Sequence, residues 1–277
     1  ATKTYAAQGY DLKHDRYGRD YTAVVPQGVA PLIKMYKSFG VDYRFTFTND
    51  MVDEVQLQDI WSNTQLKICE NNDCGVIVNS NRILNYINDN YKINNKILST
   101  TGLLNLNDTL NALNNNKYSV VVLNTQLNDK LPDCIPENLR DKCEILINDS
   151  CPPNCKSRKD CYANVLKILN GENAPAKRCT NPNRKIGDNW YTSEQLRAEF
   201  TEELDFDIIK ALNSKGYNLF KIEGRYRPIE TMLYHYMRFL IKPERQAEFL
   251  YKAFNFIYIN KLIKFKIISS FNSKSSL

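Results

Sequence analysis

Short apolar segments alternate with helical segments over most of the sequence, and this alternation limits the fold more than any other feature. The apolar segments are rich in Val, Ile and Phe, and most of them end on Asn, Ser or Thr. Strands that are apolar on both faces are typical of parallel sheets covered by helices. The predicted strands lie at residues 21–25, 43–47, 75–78, 96–98, 119–123, 145–147, 189–192 and 219–222. Eight such βα units predict an α/β fold, a (β/α)8 TIM-like barrel.

The segments between these strands carry apolar residues at helical spacing, and Gly40 and Gly216 mark helix ends. The predicted helices lie at residues 30–39, 52–61, 83–90, 103–113, 194–213 and 228–241. The sequence therefore predicts three regions, namely an N-terminal arm at 1–20, the α/β barrel at 21–242 and a C-terminal extension at 243–277. The extension is aromatic and aliphatic, and we expect it to pack on the barrel or to join a neighbouring subunit in an oligomer.

Charge and hydropathy exclude several classes of protein. The 277 residues carry 37 Lys and Arg against 31 Asp and Glu, and the net charge of +6 is too small for a dedicated DNA-binding module. A basic face that meets RNA or an acidic partner stays compatible with this charge. No run approaches the 18 or so apolar residues of a membrane span, and the first residues lack the apolar core of a signal peptide. We therefore expect a soluble, cytoplasmic protein.

Polar residues follow the predicted strands where each one ends. Asn49, Asn79, Thr100, Asn148 and Asp149 come at or just after these ends. Because the carboxyl ends of parallel strands meet at one edge, these side chains would line the mouth of a barrel. The sequence thus predicts that they bind the substrate, although each residue type is also common in turns and helix caps.

Cysteines cluster in the middle of the chain, where five of the eight fall between Cys143 and Cys179. Thiolates bind soft metals and iron–sulfur clusters, and a Cys-x3-Cys pair on a turn brings two sulfurs towards one centre. Cys151, Cys155, Cys161 and Cys179 are the candidate metal ligands, but Cys134 and Cys143 lie nearby in the sequence, so the choice of four stays open. The alternative is that they are free, buried thiols that act as small hydrophobic residues.

A second group of candidate residues lies after the last predicted strand. Lys221 and Glu223 alternate with Ile222, and Arg225 follows Gly224. A carboxylate between two cations stays ionised and can orient a ligand, so these three charged residues are candidate catalytic groups. The alternative is an ion-pair network that stabilises the rim of the barrel.

The segment at 219–225 resembles the Lys-Ile-Glu-Gly-Arg signature of the collagenase-like peptidase family U-32. Residues 24–28, 99–101, 144–161 and 178–184 are similar to further stretches of that family, in the same order. The resemblance implies a TIM-like barrel. It also implies a [4Fe–4S] cluster held by four cysteines, and hydroxylation of tRNA uridine or of a small aromatic precursor, whereas other members are peptidases.

This chain departs from the family pattern at two positions. Asn148 stands where the family has a His ahead of its first cysteine, and the fourth family cysteine would fall near Leu204. Either Cys155 replaces the missing ligand or the cluster has been lost. The sequence thus leaves three functions open: a cluster-dependent modification enzyme acting on RNA or a small molecule, a non-catalytic binding module on a degenerate barrel, and a peptidase.

Overall fold

The structure is a computed structural model that describes residues 26–102, 105–125, 131–149, 158–169, 185–186, 189–190, 202–223 and 229–259. The chain forms two compact units, residues 1–223 and 224–277. The predicted strand at 21–25 and the N-terminal arm lie outside the described residues.

A six-stranded parallel sheet forms the centre of the first unit. Its strands are β1 (Arg44–Phe47), β2 (Gly75–Val78), β3 (Lys96–Leu98), β4 (Val120–Val122), β5 (Cys143–Leu146) and, later in the chain, Leu219–Lys221. They pair in sequence order, and the last strand lies beside β5. Connections between parallel neighbours are right-handed, so a sheet wound in sequence order carries its helices on one face. Among the described residues the sheet is a curled half-barrel of six strands, and its closure into an eight-stranded barrel stays a prediction.

Helices precede or connect these strands. They are α1 (Pro26–Ser38), α2 (Glu54–Leu57), α3 (Ile60–Asn71), α4 (Asn81–Asn90), α5 (Leu106–Asn114), α6 (Leu131–Cys134) and α7 (Arg158–Leu169). The predicted helix at 52–61 is wrong in its extent, because Asp59 begins a new helix there. The Asp59 carboxylate accepts a hydrogen bond of 2.8 Å from the Ser62 N–H and so caps α3.

The main core lies between the sheet and the helices. Phe47, Val78 and Ile145 point from the strands into this core, where they join Leu66 and Ile83 from α3 and α4. All five are almost completely buried. This alternating placement of strand residues explains why the apolar runs in the sequence identify the strands so well.

The opposite, concave face of the sheet holds a smaller apolar cluster and a charged contact. Ile77, Ile97 and Val120 form part of the cluster. Arg44 Nη1 on β1 donates to Glu144 Oε2 on β5 over 2.5 Å. Four steps across a flat sheet would cover roughly 19 Å, so this contact requires the sheet to curl.

Two sequence-based expectations for the segment after α7 are wrong. Residues 189–190 of the predicted barrel strand at 189–192 instead form β8 (Asn189–Trp190). This strand pairs antiparallel with β7 (Lys185–Ile186), and each of the two is two residues long. The predicted helix at 194–213 is wrong at residues 202–205, because β9 (Glu202–Glu203) pairs antiparallel with β6 (Asn148–Asp149). The described helix in this range is α8 (Phe206–Ser214), and residues 194–201 lie outside the described residues. With these elements numbered, Leu219–Lys221 is β10.

The described part of the second unit, residues 229–259, contains two helices, α9 (Ile229–Leu240) and α10 (Gln246–Ile259). The short 3-10 turn Pro243–Arg245 connects them. The predicted helix at 228–241 is therefore confirmed over most of its length. The described part of the C-terminal extension, up to Ile259, is largely helical.

Candidate functional site

The carboxyl ends of β1–β5 and β10 form one edge of the half-barrel, which we call the carboxyl edge. Asn49, Asn79, Thr100, Asn148 and Glu223 each follow the end of their strand by one or two residues. Their predicted placement is confirmed. Ligands of parallel α/β folds bind outside the carboxyl ends of the strands, so this edge is the candidate site.

Six uncharged side chains follow β2, β3 and β4, and we call this set the neutral half of the carboxyl edge. Its members are Asn79, Ser99, Thr100, Thr101, Asn124 and Thr125. Asn79 Nδ2 donates to Thr101 Oγ1 over 3.1 Å, and Thr101 Oγ1 lies 3.0 Å from Ser99 Oγ. Thr100 Oγ1 donates to the Leu123 carbonyl over 3.0 Å and so joins the end of β3 to the end of β4.

Two atoms of the neutral half are sealed from solvent without a hydrogen-bond partner in the part of the chain that the structure describes. They are Asn79 Oδ1 and Thr125 Oγ1. Thr125 is only 7% exposed. A buried polar atom without a partner costs about 1–3 kcal/mol, so each such atom in a folded protein needs an explanation.

Asn148, Asp149, Arg158 and Glu223 lie around the ends of β5 and β10, and we call this set the charged half. The Asn148 side chain is fully buried and pairs with the backbone of Glu223. Its Nδ2 donates to the Glu223 carbonyl over 2.9 Å, and its Oδ1 accepts from the Glu223 N–H over 2.6 Å. Asn148 thus extends the pairing of β5 with β10 by one step and fixes the backbone at Glu223.

Asp149 and Arg158 form a buried ion pair between Asp149 Oδ2 and Arg158 Nη1. The Asp149 side chain is 6% exposed and the Arg158 side chain 2%. The Arg158 guanidinium also lies over the Tyr162 ring, 5.6 Å from its centroid. Because Asp149 ends β6 and Arg158 begins α7, this pair joins the two ends of the segment at 150–157, which carries Cys151 and Cys155.

A carboxylate between two cations is present on the concave face, and it belongs to Glu144. Besides its contact with Arg44, Glu144 has Oε1 3.5 Å from Lys221 Nζ. The Glu144 side chain is 8% exposed, whereas the two cations are exposed to about a third. Arg225 lies outside the described residues, so the predicted grouping of Lys221, Glu223 and Arg225 stays a prediction.

Asn49 serves the local fold at the end of β1. It is 1% exposed, and its Oδ1 accepts from the Met51 N–H over 3.1 Å. This contact is an Asx turn, which ends the strand and turns the chain towards α2. The predicted role of Asn49 in substrate binding stays a prediction.

Of the predicted metal ligands, Cys151, Cys155 and Cys179 lie outside the described residues. Cys161 lies in α7, one turn after Arg158, and only its backbone is described. Among the described residues, no three His, Cys, Asp or Glu side chains come close enough to hold a metal ion. The predicted ligand set therefore stays a prediction.

The described cysteines differ in their surroundings. Cys69, Cys74 and Cys143 are buried, whereas Cys134 is exposed. Burial raises the pKa of the Cys143 thiol to about 12, and it raises the pKa of Cys69 and Cys74 as well. These three thiols stay protonated and pack as small hydrophobic groups.

Arg158, Glu144 and Thr125 were not identified by sequence reasoning. Glu144 carried one usable signal, since a carboxylate inside a continuous apolar strand needs a partner. Arg158 stands among other charges in Lys-Ser-Arg-Lys-Asp, and Thr125 follows a strand in the same way as many turn residues. Neither sequence context distinguishes a buried side chain from a solvated one.

Comparison with known proteins finds no matching family profile, no matching curated protein and no matching solved structure. The resemblance of residues 219–225 to the U-32 signature therefore remains a sequence-based expectation. In the described part of the chain, no helix is both long enough and apolar enough to cross a membrane.

Proposed function

We propose that this protein is an iron–sulfur-dependent modification enzyme that holds its substrate over the carboxyl edge of the half-barrel. The reaction class is hydroxylation, and the substrate is a tRNA uridine or a small aromatic precursor. One observation supports the proposal: Asp149 and Arg158, which flank the segment that carries Cys151 and Cys155 in the sequence, form a buried ion pair beside that edge.

The chemistry of the donor set fits a cluster. Cys151, Cys155, Cys161 and Cys179 would supply four thiolates, which is the ligand set of a [4Fe–4S] centre. Such a cluster supplies one-electron transfer when it is bound. A buried ion pair beside the ligand segment suits this role, because groups around the ligands orient them.

The charged half supplies the groups that orient a substrate. Asn148 fixes the backbone at Glu223 through two hydrogen bonds, so the Glu223 side chain departs from a rigid point of the edge. In this proposal Glu223 and Arg225 contact the substrate. Lys221 acts from the neighbouring concave face, where Glu144 holds its ammonium group.

The test is the iron content of the full chain purified without oxygen. We expect brown protein with about four iron and four acid-labile sulfide atoms per chain. The matched control is Cys134→Ser, because Cys134 is an exposed thiol outside the ligand set and its loss should leave the iron content unchanged. Colourless protein that contains no iron after anaerobic purification and after reconstitution with iron and sulfide would contradict the proposal.

A second candidate function is a non-catalytic binding module. The neutral half favours it, because amide and hydroxyl groups with unfilled hydrogen-bonding capacity can bind a ligand without any reaction. Colourless protein that nevertheless binds a ligand at the carboxyl edge would favour this second candidate over the enzyme.

A further inference from the structure

The polar side chains of the carboxyl edge are of two kinds. Some use their hydrogen-bonding atoms to hold the fold, and others have atoms without a hydrogen bond. Asn148 uses both atoms of its amide on the Glu223 backbone. Thr100 donates to the Leu123 carbonyl. Asn49 Oδ1 accepts from the Met51 N–H. These contacts hold the edge together and account for the choice of residue at each of the three positions.

Asn79 and Thr125 differ from that group. The Asn79 Nδ2 is held by Thr101, but Oδ1 has no donor within hydrogen-bond distance among the described residues, and the same is true of Thr125 Oγ1. Exchanging the two amide atoms of Asn79 does not remove the deficit, because the NH2 group would then lack an acceptor. A ligand with a hydrogen-bonding group at each of these two positions would complete both side chains.

The chemistry of that group follows from its surroundings. The six side chains of the neutral half offer amide and hydroxyl groups and no charge. None of these six side chains could supply a counter-charge to a charged ligand group, whereas an uncharged donor and acceptor would lose little hydration there. Asn79 Oδ1 requires an N–H or O–H donor, and the Thr125 hydroxyl can donate to an acceptor or accept from a donor.

We propose that the neutral half binds an uncharged part of a ligand, a carboxamide or a hydroxyl-bearing group, through Asn79 Oδ1 and Thr125 Oγ1. This inference deepens the proposed function, because it rests on the same carboxyl edge as the substrate site and assigns the neutral half to recognition. The charged half and the cysteine segment would then carry out the reaction.

The test uses two probes and the full chain. Benzamide represents a carboxamide, and D-ribose represents a hydroxyl-bearing group. The Asn side-chain amide signals are followed by NMR during titration with each probe, and the Asn79 signal is assigned by its loss in Asn79→Ala. We expect one probe to shift that signal in a saturable manner. We also expect Asn79→Ala and Thr125→Val to weaken its binding at least tenfold, measured by ligand-observed NMR.

Two variants control for misfolding and for nonspecific loss of binding. Thr125→Val has nearly the shape of threonine and removes a hydroxyl that no described residue satisfies, so it should fold as the parent does. Asn90→Ala removes an exposed asparagine whose amide donates to the Tyr86 carbonyl in α4, and it should bind the probe unchanged.

Each outcome decides the matter. If neither probe shifts the Asn79 signal, or if Thr125→Val and Asn79→Ala bind as the parent does, the two atoms hold an ordered water only and the inference is wrong. Iron is measured in the same samples. Probe binding without iron would contradict the proposed enzyme and leave this inference standing, whereas iron without probe binding would do the reverse.

Discussion

The two halves of the carboxyl edge solve different problems. In the charged half, Asp149 pairs with Arg158, and the Asn148 amide is satisfied at both atoms by the Glu223 backbone. In the neutral half, buried polar atoms remain without partners in the described part of the chain. The charged half therefore satisfies its buried ion pair and the Asn148 amide, whereas the neutral half leaves Asn79 Oδ1 and Thr125 Oγ1 unsatisfied, which is why we assign it to a ligand.

The physical reason lies in what burial costs each kind of group. An uncompensated buried charge costs several kcal/mol, so a chain that buries Asp149 and Arg158 must pair them to fold. An unpaired hydroxyl or amide atom costs about 1–3 kcal/mol, which a fold of ordinary stability tolerates. The folded protein can therefore keep a buried uncharged polar group without a partner, whereas a buried charged group needs one.

The largest expected effect comes from breaking the buried pair of the charged half. Arg158→Met leaves the Asp149 carboxylate buried without its cation, and we expect a loss of about 3–5 kcal/mol in the free energy of unfolding. Urea denaturation followed by circular dichroism measures it. The double variant Asp149→Leu with Arg158→Met should recover most of the loss, because an apolar pair needs no counter-charge.

A matched control is available on the surface of the same unit. Lys210→Met removes an exposed ion pair with Asp207, with N and O 3.4 Å apart, and should change the free energy of unfolding by less than about 1 kcal/mol. If Arg158→Met proved as harmless as Lys210→Met, the charged half would not depend on its buried ion pair.

The second-largest expected loss of stability comes from Glu144, which contacts Arg44 and Lys221 on the concave face of the sheet. Glu144→Gln leaves Arg44 and Lys221 without their shared carboxylate, and we expect a loss of about 1–3 kcal/mol, since both cations keep some contact with water. Chemical denaturation measures this loss. Glu54→Gln is the control, because Glu54 pairs with Arg82 at 3.8 Å on the open surface. Equal stability of both variants would mean that the contact across the curled sheet contributes nothing.

The sequence predicted most strands of the sheet well, whereas closure of the sheet into an eight-stranded barrel stays a prediction. The strands at 75–78 and 96–98 were predicted to the residue, because short apolar runs between turn residues leave little choice. The prediction of a barrel strand at 189–192 is wrong because a short strand joins whichever partner pairs with it, and residues 189–190 pair with β7 outside the main sheet. Gly187 and Asp188 are a hairpin signal that points to the observed β7–β8 pairing.

The candidate site was predicted in position but not in detail. Strand ends place Asn79 and Asn148 at the carboxyl edge in any parallel sheet, so their location follows from the pattern of the sequence. Whether each amide serves the fold or a ligand depends on groups distant in the chain. Glu223, which satisfies Asn148, is 75 residues away, and no local pattern encodes such a contact.

A smaller effect separates the two kinds of hydroxyl in the neutral half. Thr100→Val removes a hydrogen bond to the Leu123 carbonyl and should cost about 1 kcal/mol. Thr125→Val removes an unsatisfied hydroxyl and should leave stability unchanged or raise it by up to about 1 kcal/mol. Thermal and urea unfolding of both variants test the contrast. A larger loss in Thr125→Val than in Thr100→Val would show that the Thr125 hydroxyl is satisfied in the folded protein.

The most direct test of the account is the iron content of two variants after anaerobic purification, read together with their melting temperatures. Cys151→Ser should lose colour and iron, because it removes a cluster ligand, whereas Glu223→Gln should keep iron and melting temperature and lose only ligand binding or turnover. Full iron and full function in Cys151→Ser would contradict the assignment of the cysteine segment. A lower melting temperature in Glu223→Gln would instead identify Glu223 as a structural ion pair.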